Sequence, residues 1–275
     1  MKKCRADAAL LEQLCLESIE LARALIMEGR VMSGDRKILR ASEMIRPDEQ
    51  LRVKGELNAY VSRGAHKLKR ALDVFQISLE GENCIDVGAS TGGFTDVMLR
   101  AGASRIYAVD VGYNLLDYRL RSDSRVVCME RTNARFLKPD DFSPRPGFGA
   151  TDVSFISLKA ILPAALGVLG EGGRFVALVK PQFEAPKEDV GEKGVVRDPA
   201  VHVRVLEDII GFIPEIGWEV AGLDYSPIRG PEGNIEFLLY LKNKADYTTP
   251  VHEYSIAETI RAAYDKFIKS SPEGL

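Results

Sequence analysis

Ile85-Asp86-Val87-Gly88-Ala89-Ser90-Thr91-Gly92-Gly93-Phe94-Thr95 is the stretch that decides the fold. An apolar run carrying one acidic residue leads straight into a glycine-rich turn, and a helix follows. Strand, tight turn and helix in that order open a crossover of an α/β sheet. Glycine lets the backbone approach a ligand there, and the helix start offers free N–H groups. Outward from this stretch, apolar runs alternate with helical periods, which predicts strands over Cys84–Val87, Arg105–Val111, Arg125–Glu130, Phe148–Val153, Arg174–Lys180, Trp218–Tyr225 and Ile235–Lys242. The last two read as a hairpin.

The 275 residues exceed one average domain and are short for three. Composition is that of an ordinary globular chain, 45% hydrophobic and 28% charged. The longest weakly polar stretch, residues 158–170, is well under the ~20 residues that span a bilayer, and the basic start lacks the apolar core of a secretory signal. A cytoplasmic protein that does not meet a membrane is therefore expected. The four cysteines, Cys4, Cys15, Cys84 and Cys128, form no C-x-x-C pair, so neither a disulfide framework nor a metal site is expected.

Charge is uneven along the chain. Residues 1–70 hold 15 Lys and Arg against 10 Asp and Glu, whereas residues 71–275 hold 22 against 30. A polyanion would dock on the basic end. That end reads as helices Asp7–Leu16 and Ile19–Gly29, with Ser18 capping the second and Gly29 ending it. Small strands follow over Val31–Val53, separated by turns at Ser33-Gly34-Asp35 and Arg46-Pro47-Asp48. The expected organisation is a small α+β unit over 1–56, a linker over 57–62, an α/β domain over 63–246 and a C-terminal helical extension over 247–275.

The turn distinguishes two nucleoside cofactors by its details. A dinucleotide fingerprint spaces its glycines G-x-G-x-x-G to seat a pyrophosphate, but here the spacing is Gly88-x-x-x-Gly92-Gly93 with Asp86 just before it. An acid beside the turn suits the methionine ammonium of S-adenosylmethionine. Asp110, 24 residues after Asp86, can accept ribose hydroxyls and serves either cofactor. Val111 adjoins it, and Glu130 and Asn133 after the third strand offer polar groups to an adenine edge. The expected cofactor site is Asp86, Gly88, Ala89, Ser90, Thr91, Gly92, Gly93, Phe94, Asp110, Val111, Glu130 and Asn133, holding S-adenosylmethionine.

In open α/β sheets chemistry gathers at the carboxyl ends of the parallel strands. Asp152 follows the fourth strand and Lys180 the fifth, where Pro181 holds the chain extended. An antiparallel seventh strand brings its start, with Glu236, to the same edge. Lys67, before the first strand, supplies a fourth charge. Segment Ala185–Arg197 reads as a mobile loop over the cleft, with Lys187, Lys193 and Arg197 facing substrate.

The N-terminal pieces Arg5-Ala6-Asp7, Ile19–Ile26, Gly29-Arg30-Val31 and Leu51-Arg52-Val53 resemble the S4 RNA-binding fold. The whole chain, through Ser62-Arg63-Gly64-x-x-Lys67-Leu68, Asp86 to Asp96 and Lys180-Pro181-Gln182-Phe183-Glu184, resembles the TlyA (haemolysin A) family of ribosomal RNA 2′-O-ribose methyltransferases. The resemblance implies a class I, Rossmann-like methyltransferase with a seven-stranded, mostly parallel sheet and an FtsJ-like domain behind an S4 domain. It implies methyl transfer from S-adenosylmethionine to a cytidine 2′-hydroxyl of ribosomal RNA. Lys67, Asp152, Lys180 and Glu236 stand at the family's catalytic tetrad, and Arg5, Arg23, Arg30, Arg36, Lys37 and Arg63 at RNA-contacting positions.

The rival expectations are a nicotinamide-dependent oxidoreductase, a non-catalytic ribosome-assembly factor and, from the haemolysin name, a membrane-active protein. The sulfonium methyl is already activated, so no metal is expected.

Overall fold

The structure, a computed structural model, describes residues 3–14, 16, 19–46, 48–54, 60–246 and 248–269. Cys15, the expected cap Ser18, Pro47 and half of the expected linker lie outside them. Contacts divide the chain into two units, Met1–Ala59 and Tyr60–Leu275.

In the first unit helices α1 (Ala6–Gln13) and α2 (Ile19–Met27) pack over short antiparallel pairings. Cys4–Arg5 pairs with Met44–Ile45, and Val31–Ser33 lies between Arg36–Lys37 and Leu51–Val53. Leu10, Leu25, Ile26, Ile38 and Ile45 form the centre of its core. Helix α2 stops at Met27, short of the expected Gly29, because Gly29 at φ +65° reverses the chain; its N–H and that of Arg30 reach back to the carbonyls of Ile26 and Leu25. Asp7 is fully buried and accepts hydrogen bonds from Arg5 (2.8 and 3.0 Å), Arg23 (2.9 Å) and the Ala8 N–H (3.0 Å). The Arg5 bonds hold its carboxyl well below the usual carboxylate range, with Arg23 and Ala8 assisting against burial.

The second unit is built on one seven-stranded sheet: β1 (Asn83–Val87), β2 (Arg105–Val109), β3 (Val126–Met129), β4 (Phe148–Thr151), β5 (Arg174–Val179), β6 (Trp218–Tyr225) and β7 (Phe237–Asn243). Their spatial order is β6-β7-β5-β4-β1-β2-β3, and β7 alone runs antiparallel to its neighbours. Both faces of β1 are buried, which is why its sequence is an apolar run without alternation. Helices α3 (Ala65–Val74) and α4 (Gly93–Arg100) cover one face through Leu68, Leu72, Phe94 and Met98. Helices α5 (Pro199–Phe212) and α6 (Ile256–Tyr264) cover the other through Leu206, Ile209, Ile260 and Ala263.

Four expectations change. Strands β2, β4 and β5 end at Val109, Thr151 and Val179, so Asp110, Asp152 and Lys180 leave the ladder; their side chains make contacts across the sheet edge. Residues 60–62 belong to the second unit, not to a linker: the Val61 N–H donates to Asp96 on α4 at 3.0 Å, and the Arg100 guanidinium lies 4.5 Å from the Tyr60 ring centroid. Helix α6 is likewise no appendage, since it contributes to the core of that unit. The segment 185–197 is pinned, not loose. Val195 and Val196 are buried, the Val196 N–H donates to Asn234 Oδ1 at 3.0 Å, and Asn234 Nδ2 donates to the Gly194 carbonyl at 2.8 Å.

Asp7 gives the first unit a testable acid sensitivity. A carboxyl depressed in the folded state stabilises above its unfolded value of about 4 and loses that contribution as pH falls below it. In urea titrations Asp7→Asn is expected to remove about 2 kcal/mol near neutrality. The variant should also lose the wild-type decline on acidification, whereas an unchanged pH profile would refute this role.

Candidate active site

The strand register assembles the site. Val87 and Ala177 both pair with Thr151, and Val179 pairs with Phe237. Gly88, Asp152, Lys180 and Glu236, the next residues outward, therefore meet along one edge. Lys180 has the extended backbone that Pro181 imposes (φ −111°, ψ 100°). Glu184 accepts from Ser157 Oγ (2.6 Å) and the Leu158 N–H (2.8 Å), which ties the loop after β5 to that after β4.

The four charges form a chain. Lys180 Nζ lies 2.6 Å from Asp152 Oδ1 and donates to Ser154 Oγ at 2.9 Å. The other Asp152 oxygen is 3.0 Å from Lys67 Nζ, which reaches Glu236 Oε2 at 2.8 Å. Lys67, Lys180 and Glu236 are buried, with exposures of 6%, 7% and 1%. Burial works against the Lys67 charge, but Asp152 and Glu236 outweigh it and lift its pKa above the ordinary lysine value. Burial likewise opposes the Asp152 charge, and the two ammonium groups overcome it and lower its pKa. For Glu236 burial prevails over Lys67 and its pKa is raised.

Two clefts adjoin this chain and share Gly88, Ser90, Asp152 and Ser154 as their common wall. The first, of about 350 Å³, contains the four charges together with Asp86, Ala89, Thr91, Gly93 and Phe94. Asp86 is buried and its Oδ2 accepts both the N–H (2.8 Å) and the hydroxyl (2.7 Å) of Thr95, which leaves Oδ1 for a cation. Burial pushes the Asp86 carboxyl up to about 7, against the Thr95 bonds. The second cleft, of about 420 Å³, runs between Asp110, Val111, Thr132 and Asn133 at one end and apolar walls from Leu115, Val153, Ile156 and Ile161. Asp110 takes the N–H groups of Ser90 (2.8 Å) and Gly112 (2.7 Å). Gly88 (φ +84°) belongs to both clefts, and a Cβ there would come within 2.8 Å of Val153 Cγ1.

These features fit S-adenosylmethionine: a carboxylate for its ammonium, an apolar slot for its adenine, and a common wall beside the charge chain for its methyl.

Not every expected residue lines a cleft. Gly92 instead fits between Leu116 and Leu120, whose side chains a Cβ would strike. Glu130 is bound to Arg121 and to the Leu115 N–H at 3.3 Å and lines neither cleft, so it supports the loop after β2. Of the expected RNA-contacting residues, Arg5 and Arg23 hold Asp7, Arg30 pairs with Glu28, and Arg36 pairs with Glu43 and Glu49. Lys37 is exposed without a carboxylate partner among the described residues, and Arg63 donates to the Arg229 carbonyl. Sequence reasoning missed Ser62, Leu115, Ile156, Ile161, Arg229, Gly230 and Pro231. The motif Ser62-Arg63-Gly64 carried a signal for Ser62; nothing in the local pattern marks the others.

Residues 60–243 match the FtsJ-like methyltransferase family, so fold and site together define an FtsJ-like methyltransferase. Relatives spanning most of the chain narrow this further. It is 51% identical to YqxC of Bacillus subtilis over 241 residues, 87% of this chain and 86% of the relative. It is 42% identical to the 16S/23S rRNA (cytidine-2′-O)-methyltransferase TlyA of Mycobacterium tuberculosis over 246 residues, 89% of this chain and 92% of the relative. A solved structure from Streptococcus thermophilus, described as a hemolysin, matches with a TM-score of 0.73 at 46% identity and covers 98% of each chain. The chain belongs to the TlyA (haemolysin A) family. The nicotinamide alternative falls with that membership.

Asp152 is the shared counter-ion of two buried ammonium groups. Asp152→Ala is expected to cost about 3–5 kcal/mol in urea unfolding, because both lysines lose a buried partner. Adding Lys67→Met to Asp152→Ala should recover part of the loss; a loss below ~1 kcal/mol would mean that water solvates the lysines freely.

Proposed function

We propose that this chain transfers a methyl group from S-adenosylmethionine to the 2′-hydroxyl of a cytidine in ribosomal RNA. The observation that carries the reading is the buried chain Lys180–Asp152–Lys67–Glu236, which lines the first cleft and reaches the wall shared with the second through Asp152. S-adenosylmethionine, when bound, supplies an activated methyl on a sulfonium. Asp86 holds its ammonium, Asp110 its ribose hydroxyls, and Asn133, Thr132 and Ile161 its adenine.

A ribose 2′-hydroxyl is a poor nucleophile at neutral pH. It needs a partner that orients it and takes up its proton as the bond to the methyl forms. Lys180 fills that role in its neutral form, once the ammonium that pairs with Asp152 at rest has released a proton to water, with its Nζ placed by Asp152 and Ser154. Lys67 and Glu236 keep Asp152 oriented, and positioning supplies much of the remaining rate. Phe155, 90% exposed and held at φ +64° beside the Phe183 ring (centroids 5.0 Å apart), offers a face on which the target base stacks.

The N-terminal unit serves as an S4-like RNA-binding domain, with Lys37, Arg30 and Arg36 toward phosphates and Arg5 and Arg23 dividing their charge with Asp7. Arg63 serves the RNA from the catalytic unit. Such a substrate places the enzyme's work in the cytoplasm with ribosomal subunits as partners. Among the described residues no helix is long and apolar enough to cross a membrane.

Methyl transfer from labelled S-adenosylmethionine to ribosomal subunits, followed by nuclease digestion and mass spectrometry, should yield 2′-O-methylcytidine. Lys180→Ala is expected to lower the rate by about 10²–10⁴-fold, whereas label on a base, or an unimpaired Lys180→Ala, would contradict the assignment. Cofactor binding has its own pH signature. Asp86 is ionised above about 7 and protonated below, so affinity should rise between about pH 6 and 8. Calorimetry on Asp86→Asn should show weaker binding and no such rise.

A further inference from the structure

The cleft that holds the charge chain carries two further cations. Arg63, in the turn before α3, and Arg229, in the loop leading to β7, line it beside Lys67, Lys180 and Glu236. The two lysines balance Asp152 and Glu236. Neither arginine has a carboxylate partner among the described residues, and Asp86 is the one further acid lining the cleft, so a net positive charge remains.

Arg229 is held from outside the sheet. Its Nη2 donates to the Phe267 carbonyl, its guanidinium lies 5.2 Å from the Phe267 ring centroid, and its own carbonyl accepts from Arg63. Its Nε is buried with no hydrogen-bond partner. Phe267 lies in the π-helical turn Asp265–Lys269 that continues α6. Helix α6 is itself fastened by Ile260 and Ala263 in the core and by Tyr264, whose hydroxyl donates to the Arg197 carbonyl at 2.6 Å. All of these α6 and turn residues lie beyond residue 243, where the match to the methyltransferase family ends.

We propose that Arg229, held in place by Phe267, binds a phosphodiester of the acceptor RNA next to the target ribose, so that the C-terminal segment completes the acceptor side of the cleft. The inference rests on the RNA methyl-transfer reading above. Strand order supports the acceptor side: Asp86 lies in β1 and Asp110 follows β2, whereas Arg229 enters with β7, on the opposite side of β4. A guanidinium with unfilled donors matches an oxyanion in charge and geometry. Two oxyanions could reach the cleft, an RNA phosphate and the cofactor carboxylate, since Asp86 lines it as well; entry of Arg229 with β7, on the far side of Lys180 and Asp152 from the glycine turn, favours the phosphate.

The test uses the full chain and two binding measurements that need no turnover. Affinity for S-adenosylhomocysteine is read by calorimetry. RNA affinity is read by filter binding across a salt series with S-adenosylhomocysteine present. Arg229→Gln is expected to weaken RNA binding about tenfold and to make the log–log salt slope shallower by about 1. Affinity for S-adenosylhomocysteine should stay within about twofold, and Arg229→Lys should restore the slope. Phe267→Ala should weaken RNA binding in the same direction and add nothing to Arg229→Gln in the double variant.

Loss of S-adenosylhomocysteine affinity with RNA binding intact would assign Arg229 to the cofactor carboxylate and overturn the proposal. Unchanged RNA affinity and slope, or additive effects of the two substitutions, would overturn it as well. Phe267→Ala carries the test if Arg229→Gln does not fold. A chain that binds RNA as described but methylates no ribose would sink the reading under Proposed function alone.

Discussion

The structure of the catalytic unit turns on one carboxylate shared between two buried ammonium groups. Asp152 contacts Lys180 with one oxygen and Lys67 with the other. Two lysines brought that close without it would repel by about 4 kcal/mol at an effective dielectric near 20. Glu236 supplies the second half of the compensation from a strand that runs the other way. The reversed direction of β7 makes this possible, because only an antiparallel strand presents its start to the edge where β4 and β5 end.

Around that chain the loops carry binding and the sheet carries position. Asp86 sits inside β1 between two buried faces, with Thr95 using one of its oxygens, and this burial raises its carboxyl into the neutral range. Asp110 is tied by two backbone N–H groups and still faces the adjoining cleft. The clefts meet at Gly88 and Asp152, so a ligand extending through both passes beside Lys180. That junction is what the glycine-rich turn serves: a side chain at Gly88 would press into Val153.

The two units contribute different things. The first has a small core and a buried aspartate that binds two of the arginines expected to face RNA, so part of its basic character is spent on its own fold. The second takes in chain segments that look peripheral in the sequence. Residues 60–62 fasten to α4, and α6 with its following turn holds Arg229. Residues 60–62 are too short to show a period; α6 shows one, with Ile256, Ile260, Ala263 and Tyr264 at helical spacing, but that pattern does not say which surface it meets.

The sequence by itself determined the order of strands and helices, because burial on both faces demands apolar runs such as Cys84–Val87 and Phe175–Val179. It also determined the glycine turn and the types of the four charges, through their placement at one sheet edge and the family resemblance, whereas their burial was not legible. Tertiary structure alone decided who pairs with whom. The link of Lys67 to both Asp152 and Glu236, the exclusion of Glu130 from the cleft, the pinning of 185–197 through Asn234 and the capture of Arg229 by Phe267 join residues far apart in the chain, with the Glu130 loop the most local of them. Such contacts depend on strand register and loop closure, and no local propensity encodes either.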